Sequence, residues 1–204
     1  MISFDLTKDE FTELVSSSKG PSLVQLMAKV RSDCSPLQLY TTFQNEDYSY
    51  MLESVEKEKR HARFSFVGAY PDVVAKISGR QLSLEYGEDS VLIDTIRSKL
   101  DIECENIMDD GSVLKADIEA GSDVVDALRA VFPTADGTVL LNGNRFDRQT
   151  FLGGAIGYNG YDMIYDCWLD IQRRHQSDVP DMQFILTTRT FVFDHLTDET
   201  YMVL

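Results

Sequence analysis

The sequence predicts an α+β fold, with antiparallel β-sheets packed as a sandwich and helices on the outside. Three observations lead there. Extended, alternating segments follow one another through short turns, most clearly in VVAKISGRQLSLEY (73–86), where alternation flanks the turn signal Gly79-Arg80. Helical periodicity is confined to a few short stretches. The chain has 204 residues and 43% hydrophobic content, enough for one large domain or two small ones with a real core.

Each element has a local reason. Thr7 followed by Glu10 forms a capping-box signature, opening a short helix with Phe11, Leu14 and Val15 on one face. Gly20-Pro21 stops it. SLVQLMAKV (22–30) reads as a strand, and Pro36 starts the helix PLQLYTTF from its first turn. YSYMLES (48–54) and RFSFVGAY (63–70) read as a strand pair around the charged loop 55–62, closed by Pro71. SVLIDTIRSKL (90–100) and SDVVDALRAVF (122–132) carry apolar residues at spacings of three and four, and both read as helices starting at serine. Between them, about 101–121, the chain is acidic and weakly patterned and reads as a mobile connection. The segment 133–150 is loop-rich. FLGGAIGYNGYDMIY (151–165) reads as a strand whose glycines mark close backbone approach. FILTTRTFVFDH (184–195) reads as one long strand, followed by a turn and the start of its partner. The chain stops at Leu204 inside that apolar stretch, which reads as a piece of a longer protein with an open strand edge. The whole is taken as a single domain over residues 1–204.

Composition narrows the function. Lys and Arg number 19 against 34 Asp and Glu, a formal net charge of −15. Such a surface repels phosphate backbones and anionic lipid, so neither nucleic acid nor membrane is expected as a partner. No run approaches the ~20 apolar residues of a membrane span. The N-terminus lacks the basic-then-apolar order of a signal peptide. Cys34, Cys104 and Cys167 are odd in number and far apart, which fits a reducing cytoplasm. His61, His175 and His195 have no metal-ligand spacing, and no phosphate loop, HExxH or GxSxG occurs. Gly154, Gly157 and Gly160 are not a dinucleotide fingerprint and read as packing glycines; Tyr158, Tyr161 and Asp162 beside them read as core packing.

One junction stands out. At Met51-Leu52-Glu53-Ser54 a strand ends in a carboxylate and a hydroxyl, and the next strand opens with Arg63. Two readings stay open from the residues alone: polar side chains closing a turn, or a small-molecule site. An acidic corner suits an ammonium through a charge-assisted hydrogen bond, and a serine hydroxyl serves a polar head group. Strict alternation separates Leu52 from Met51 and Glu53, so Glu53 and Ser54 converge only at a bulge or strand end. Arg63 reads chiefly as a salt-bridge partner for Glu53, and otherwise as a contact for a ligand carboxylate.

Five segments in order, SPLQLYTTF, YSYMLESVE, RFSFVGAYP, FLGGAIGYNGYDMIY and PDMQFILTTRTFVFDH, resemble the N-terminal part of anthranilate synthase component I. The resemblance implies a parent reaction of chorismate with ammonia or glutamine to anthranilate and pyruvate. It implies Mg²⁺ in a catalytic half beyond residue 204, a glutamine amidotransferase subunit as partner, and L-tryptophan as feedback effector. Ser54, Glu53, Leu52 and Pro36 would belong to the effector site, with Arg63 and Met51 supporting it. This region alone would hold no catalytic residues and no cofactor. Two alternatives are the same region of aminodeoxychorismate synthase and a stand-alone amino-acid-sensing module.

Overall fold

The computed structural model describes residues 2–31, 33–54, 62–133, 138–143, 146–148, 150–169 and 177–204. In chain order the elements are α1 (Lys8–Ser17), β1 (Ser22–Val24), β2 (Met27–Val30), α2 (Pro36–Phe43), β3 (Tyr50–Glu53), β4 (Phe64–Gly68), β5 (Val73–Ser78), β6 (Gln81–Tyr86), α3 (Ile93–Glu103), β7 (Cys104–Asp109), β8 (Val113–Ile118), α4 (Val124–Val131), β9 (Val139–Leu141), β10 (Gly154–Asn159), α5 (Ile164–Cys167), β11 (Met182–Thr187), β12 (Thr190–Asp194) and β13 (Glu199–Val203). The class is α+β, with sheets dominated by antiparallel pairs. Within the span read from the sequence as one domain, the chain divides into two compact units. One comprises Met1–Pro71, Gly137–Gly154 and Thr187–Leu204; the other comprises Asp72–Asp136 and Ala155–Leu186. Units built from discontinuous segments need no linker, so no composition shift announces them.

In the first unit both capping boxes form. Thr7 Oγ1 accepts from the Glu10 amide while the Glu10 carboxylate accepts from Thr7 N–H, and Ser35 and Gln38 do the same ahead of Pro36. The main sheet runs β2-β13-β12-β4-β3, antiparallel throughout. The run 22–30 is two strands rather than one. Gln25 N donates to Leu141 O beside the parallel β1–β9 pair, and the next amide, Leu26 N, donates to Leu204 O beside β2. Adjacent amides thus serve different sheets. The run 184–195 divides too, at a turn where Thr187 Oγ1 donates to Arg189 O. Nor is the last strand an open edge: β13 lies between β2 and β12.

Phe64, Val192 and Val203 form the buried centre of this unit, with Phe66, Phe146, Leu152 and Tyr201 packed on it. At one end Tyr50 lies over Gly68, its partner in the ladder, where any Cβ would collide with the tyrosine ring. At the other, the Arg63 fork grips Asp194, Nε to Oδ1 at 2.9 Å and Nη2 to Oδ2 at 2.6 Å, with Nη1 on Asp147 Oδ1 at 2.6 Å. The guanidinium also sits 4.8 Å from the Phe64 ring centroid. Arg63 therefore pairs with Asp194 and Asp147, not with Glu53 as expected. Asp194 lies opposite Phe64 in the register, one residue from Arg63, whereas Glu53 is carried on the other face of the sheet. Burial alone would push the Asp194 carboxyl up; bonds from Arg63 and the Leu196 amide overcome this and hold it below 3.8.

The second unit carries the sheet β10-β11-β5-β6-β8-β7. Ile77, Leu82, Ala116 and Met182 meet across one face, as do Ala75, Leu84 and Leu114. Helix α4 packs on β5 and against α3, burying Val124, Ala127, Leu128 and Val131, while α3 buries Ile93, Ile96 and Leu100. The other face bears Lys76, Ser83 and Lys115, with Lys76 paired to Glu85. The α3 entry is held by buried Asp72, whose carboxylate accepts from Ser90 Oγ and from the amides of Val91 and Leu92. Helix α4 is capped by Asp123 rather than by the preceding serine.

The expected mobile connection at 101–121 is instead the end of α3 followed by the hairpin β7–β8. Its acidic residues face outward along β7, where only Cys104 is buried, so the apolar half of the pattern comes from β8. The stretch 151–165 is a strand only over β10, followed by a 3₁₀ turn at Tyr161–Met163 and by α5. Gly157 and Gly160 are packing glycines, whereas Gly154 is exposed and is required instead by its φ of 136°. A Cβ on Gly157 would lie 2.7 Å from the Phe184 Cα, and one on Gly160 would lie 2.9 Å from Asp181 O.

Two outcomes follow. Gly157→Ala forces β10 away from β11 and costs about 1–3 kcal/mol, seen as a drop of several degrees in Tm. Asp194→Asn removes one partner of a buried pair and costs about 3 kcal/mol at neutral pH. Because folding lowers the Asp194 pKa, its contribution is complete above 3.8 and fades as pH falls toward the folded value. An acid unfolding series should therefore show a gap between wild type and Asp194→Asn that narrows below pH 3.8.

Candidate functional site

Strand β3 is the edge of the five-stranded sheet, and among the described residues only β4 pairs with it. The register sets Tyr50, Met51, Leu52 and Glu53 opposite Gly68, Val67, Phe66 and Ser65. Alternation places Tyr50 and Leu52 on the core side with Phe66, and Met51 and Glu53 on the other face. The strand ends at Glu53, so Ser54 is released from alternation and stands exposed beside the exposed Glu53. This is the strand end that convergence of the two residues requires.

Helix α2 packs against β3 and β4 through a half-buried stripe of Pro36, Leu39, Tyr40 and Phe43. Phe43 meets Tyr70 edge-on at 6.2 Å, near the Tyr50 end of β3. Met51, Leu52, Glu53 and Ser54 are consecutive at the end of β3, and Pro36 opens α2, the helix that packs on β3 and β4. Arg63 is committed to Asp194 and Asp147.

Two residues missed by the sequence reading join the corner. Ser65, only 2% exposed, donates to Glu53 Oε1 at 3.2 Å, and its Oγ lies 2.6 Å from His195 Nε2. The hydroxyl has one proton, and making both contacts at once requires that it go to the carboxylate. His195 is therefore the donor, Nε2–H to Oγ, so this contact is not a serine activated by a base. The one available signal was the alternation of RFSFVG, which sets a lone small polar residue against two aromatics. Nothing local connects it to a histidine 130 positions away. The corner thus offers an oriented carboxylate with apolar Met51 on the same face, and an exposed serine at the strand end, while Leu52 lies on the core side. That suits a ligand with an ammonium and an apolar body.

A shallow, open depression of about 270 Å³ occurs in the second unit, lined among others by Tyr158, Tyr161, Asp162, Val179 and Pro180. Tyr158 donates to Pro180 O at 3.2 Å. Tyr161 is 80% exposed, so these motif tyrosines are not the core residues expected. Tyr158 lies near the end of β10 and Tyr161 in the 3₁₀ turn that follows it. Among the described residues no cluster of His, Cys, Asp or Glu is placed to hold a metal ion, and no helix is long and apolar enough to cross a membrane. His61 and His175 lie outside the described residues, as does most of the charged loop 55–62.

No family model matches the chain. Among known proteins, it is 33% identical over 219 residues to anthranilate synthase component 1 of Haloferax volcanii, a match covering 98% of this chain and 37% of that protein. It is 32% identical to a component 1 of Haloarcula marismortui, with 99% and 37% covered. The chain thus spans little more than a third of these relatives. Its fold is similar to that of anthranilate synthase component I from Streptococcus pneumoniae, with a TM-score of 0.51, 11% identity, and 99% of this chain and 53% of that one covered. Over the stretch it shares with these relatives, the chain belongs to the anthranilate synthase component I family.

Proposed function

We propose that this chain is the N-terminal regulatory region of a cytoplasmic anthranilate synthase and contributes part of an L-tryptophan feedback site at the end of β3. The parent enzyme would convert chorismate, with ammonia delivered by a glutamine amidotransferase subunit, to anthranilate and pyruvate. Its chemistry and Mg²⁺ would reside in the part of the relatives that this chain does not span. This region alone is then inactive.

One observation carries the regulatory reading. At the end of β3 the Glu53 carboxylate and Ser54 stand exposed, the adjoining Ser65–His195 pair runs into that carboxylate, and no group of His, Cys, Asp or Glu among the described residues is placed to hold a metal ion. In this reading Glu53 takes the tryptophan ammonium, Ser54 meets the head group, and Leu52 with Met51 and the Pro36 end of α2 border the indole. Arg63 acts only through the sheet. Feedback requires tryptophan to favour a less active conformation, with a coupling of about 1–3 kcal/mol that acts reciprocally on chorismate affinity.

The test is calorimetry and activity on the full-length protein with its amidotransferase partner. Tryptophan is expected to inhibit anthranilate formation and to weaken chorismate binding. Ser54→Ala and Glu53→Gln should each raise the inhibitory concentration about tenfold or more, as loss of a hydrogen bond to a charged group implies, without changing uninhibited turnover. Independent binding of tryptophan and chorismate, or unchanged inhibition in both variants, would overturn the reading.

A further inference from the structure

We propose that Ser65 and His195 are positioning residues that hold the Glu53 carboxylate ready for the ligand's ammonium. The inference rests on the effector reading of this corner and adds the groups that orient its charged residue.

The ladder builds the arrangement. Ser65 stands opposite Glu53 on one side and opposite Phe193 on the other, so Glu53, Ser65 and Phe193 project from the same face. His195, two residues beyond Phe193, returns to that face, and its amide donates to Arg63 O, which keeps it in the ladder past the end of β12. The proton order is fixed. His195 Nε2–H donates to Ser65 Oγ at 2.6 Å, and Ser65 O–H donates to Glu53 Oε1 at 3.2 Å. Each donor polarises the next, and the chain ends on the carboxylate.

Two features mark this as more than satisfaction of a buried hydroxyl. The carboxylate it holds is exposed, where a glutamate at a strand end ordinarily samples several rotamers. A 2%-exposed serine also commits its only proton to that solvent-facing group. Among the described residues, Arg63 is committed to Asp194 and Asp147 and does not compete for Glu53. The Glu53 carboxylate thus meets an incoming cation with its rotamer already chosen. That removes an ordering cost worth about three- to tenfold in affinity for one long side chain.

The experiment is a double-mutant cycle on the full-length protein with tryptophan as probe, read by calorimetry. His195→Leu changes an exposed residue and leaves the strand core alone, so it is the primary variant; Ser65→Ala is the second. Each should weaken tryptophan about three- to tenfold in wild type and have no further effect in a Glu53→Ala background. His195→Gln, whose amide can place an N–H near Nε2, should restore most of the affinity. Losses that add to that of Glu53→Ala, or no loss from either variant, overturn the proposal. Ligand-free crystal structures decide the same point without tryptophan. Glu53 turned away in His195→Leu supports the positioning role, and Glu53 unmoved in both variants overturns it. Absence of tryptophan binding in wild type would overturn the effector reading alone, with the crystallographic comparison still deciding the role of the pair.

Discussion

The organisation of the first unit depends on how β4 is clasped between β3 and β12. Phe66 faces Leu52 on one neighbour and Val192 on the other; Ser65 faces Glu53 and Phe193. This register sorts the polar groups by face. The core side receives Phe64, Val192 and the buried Arg63–Asp194 clamp, while the opposite side receives Glu53, Ser65 and His195. A slip of one residue would exchange the two sets, stranding an arginine pair outside and a glutamate inside. The clamp resists that slip because a bidentate fork is satisfied only when Arg63 and Asp194 are adjacent in the ladder.

Much of this was legible wherever the cause is local. The capping boxes at Thr7 and Ser35, the helix opened by Pro36, the hairpin through Gly79 and the pairing of β3 with β4 each need only a few consecutive residues. The errors arise where one run serves two partners. Residues 22–30 and 184–195 look continuous because alternation does not record which sheet a residue joins. Residues 101–121 looked unstructured because β7 is exposed except at buried Cys104 and half-buried Ile107, leaving it no apolar period of two.

The candidate corner divides the same way. Alternation alone showed that Glu53 and Ser54 could converge only where a strand stops, and β3 stops there. Their assignment to an effector came from family likeness, since two polar residues before a turn are chemically unremarkable. Ser65 and His195 could not be connected from sequence: their contact is a product of register between strands that are far apart in the chain. Arg63 was recognised as an ion-pair residue but matched to the wrong carboxylate, because spacing along the chain does not reveal which face a partner occupies.

The edge position of β3 has a consequence for how this corner can signal. A four-residue strand hydrogen-bonded to a single neighbour is among the first parts of a sheet to fray. It is pinned at its beginning by Tyr50 over Gly68 and at its end by the bond from Ser65 to Glu53. A molecule bound at that second pin would add to what already holds the strand against fraying, so that occupancy is converted into local rigidity without any rearrangement of the core.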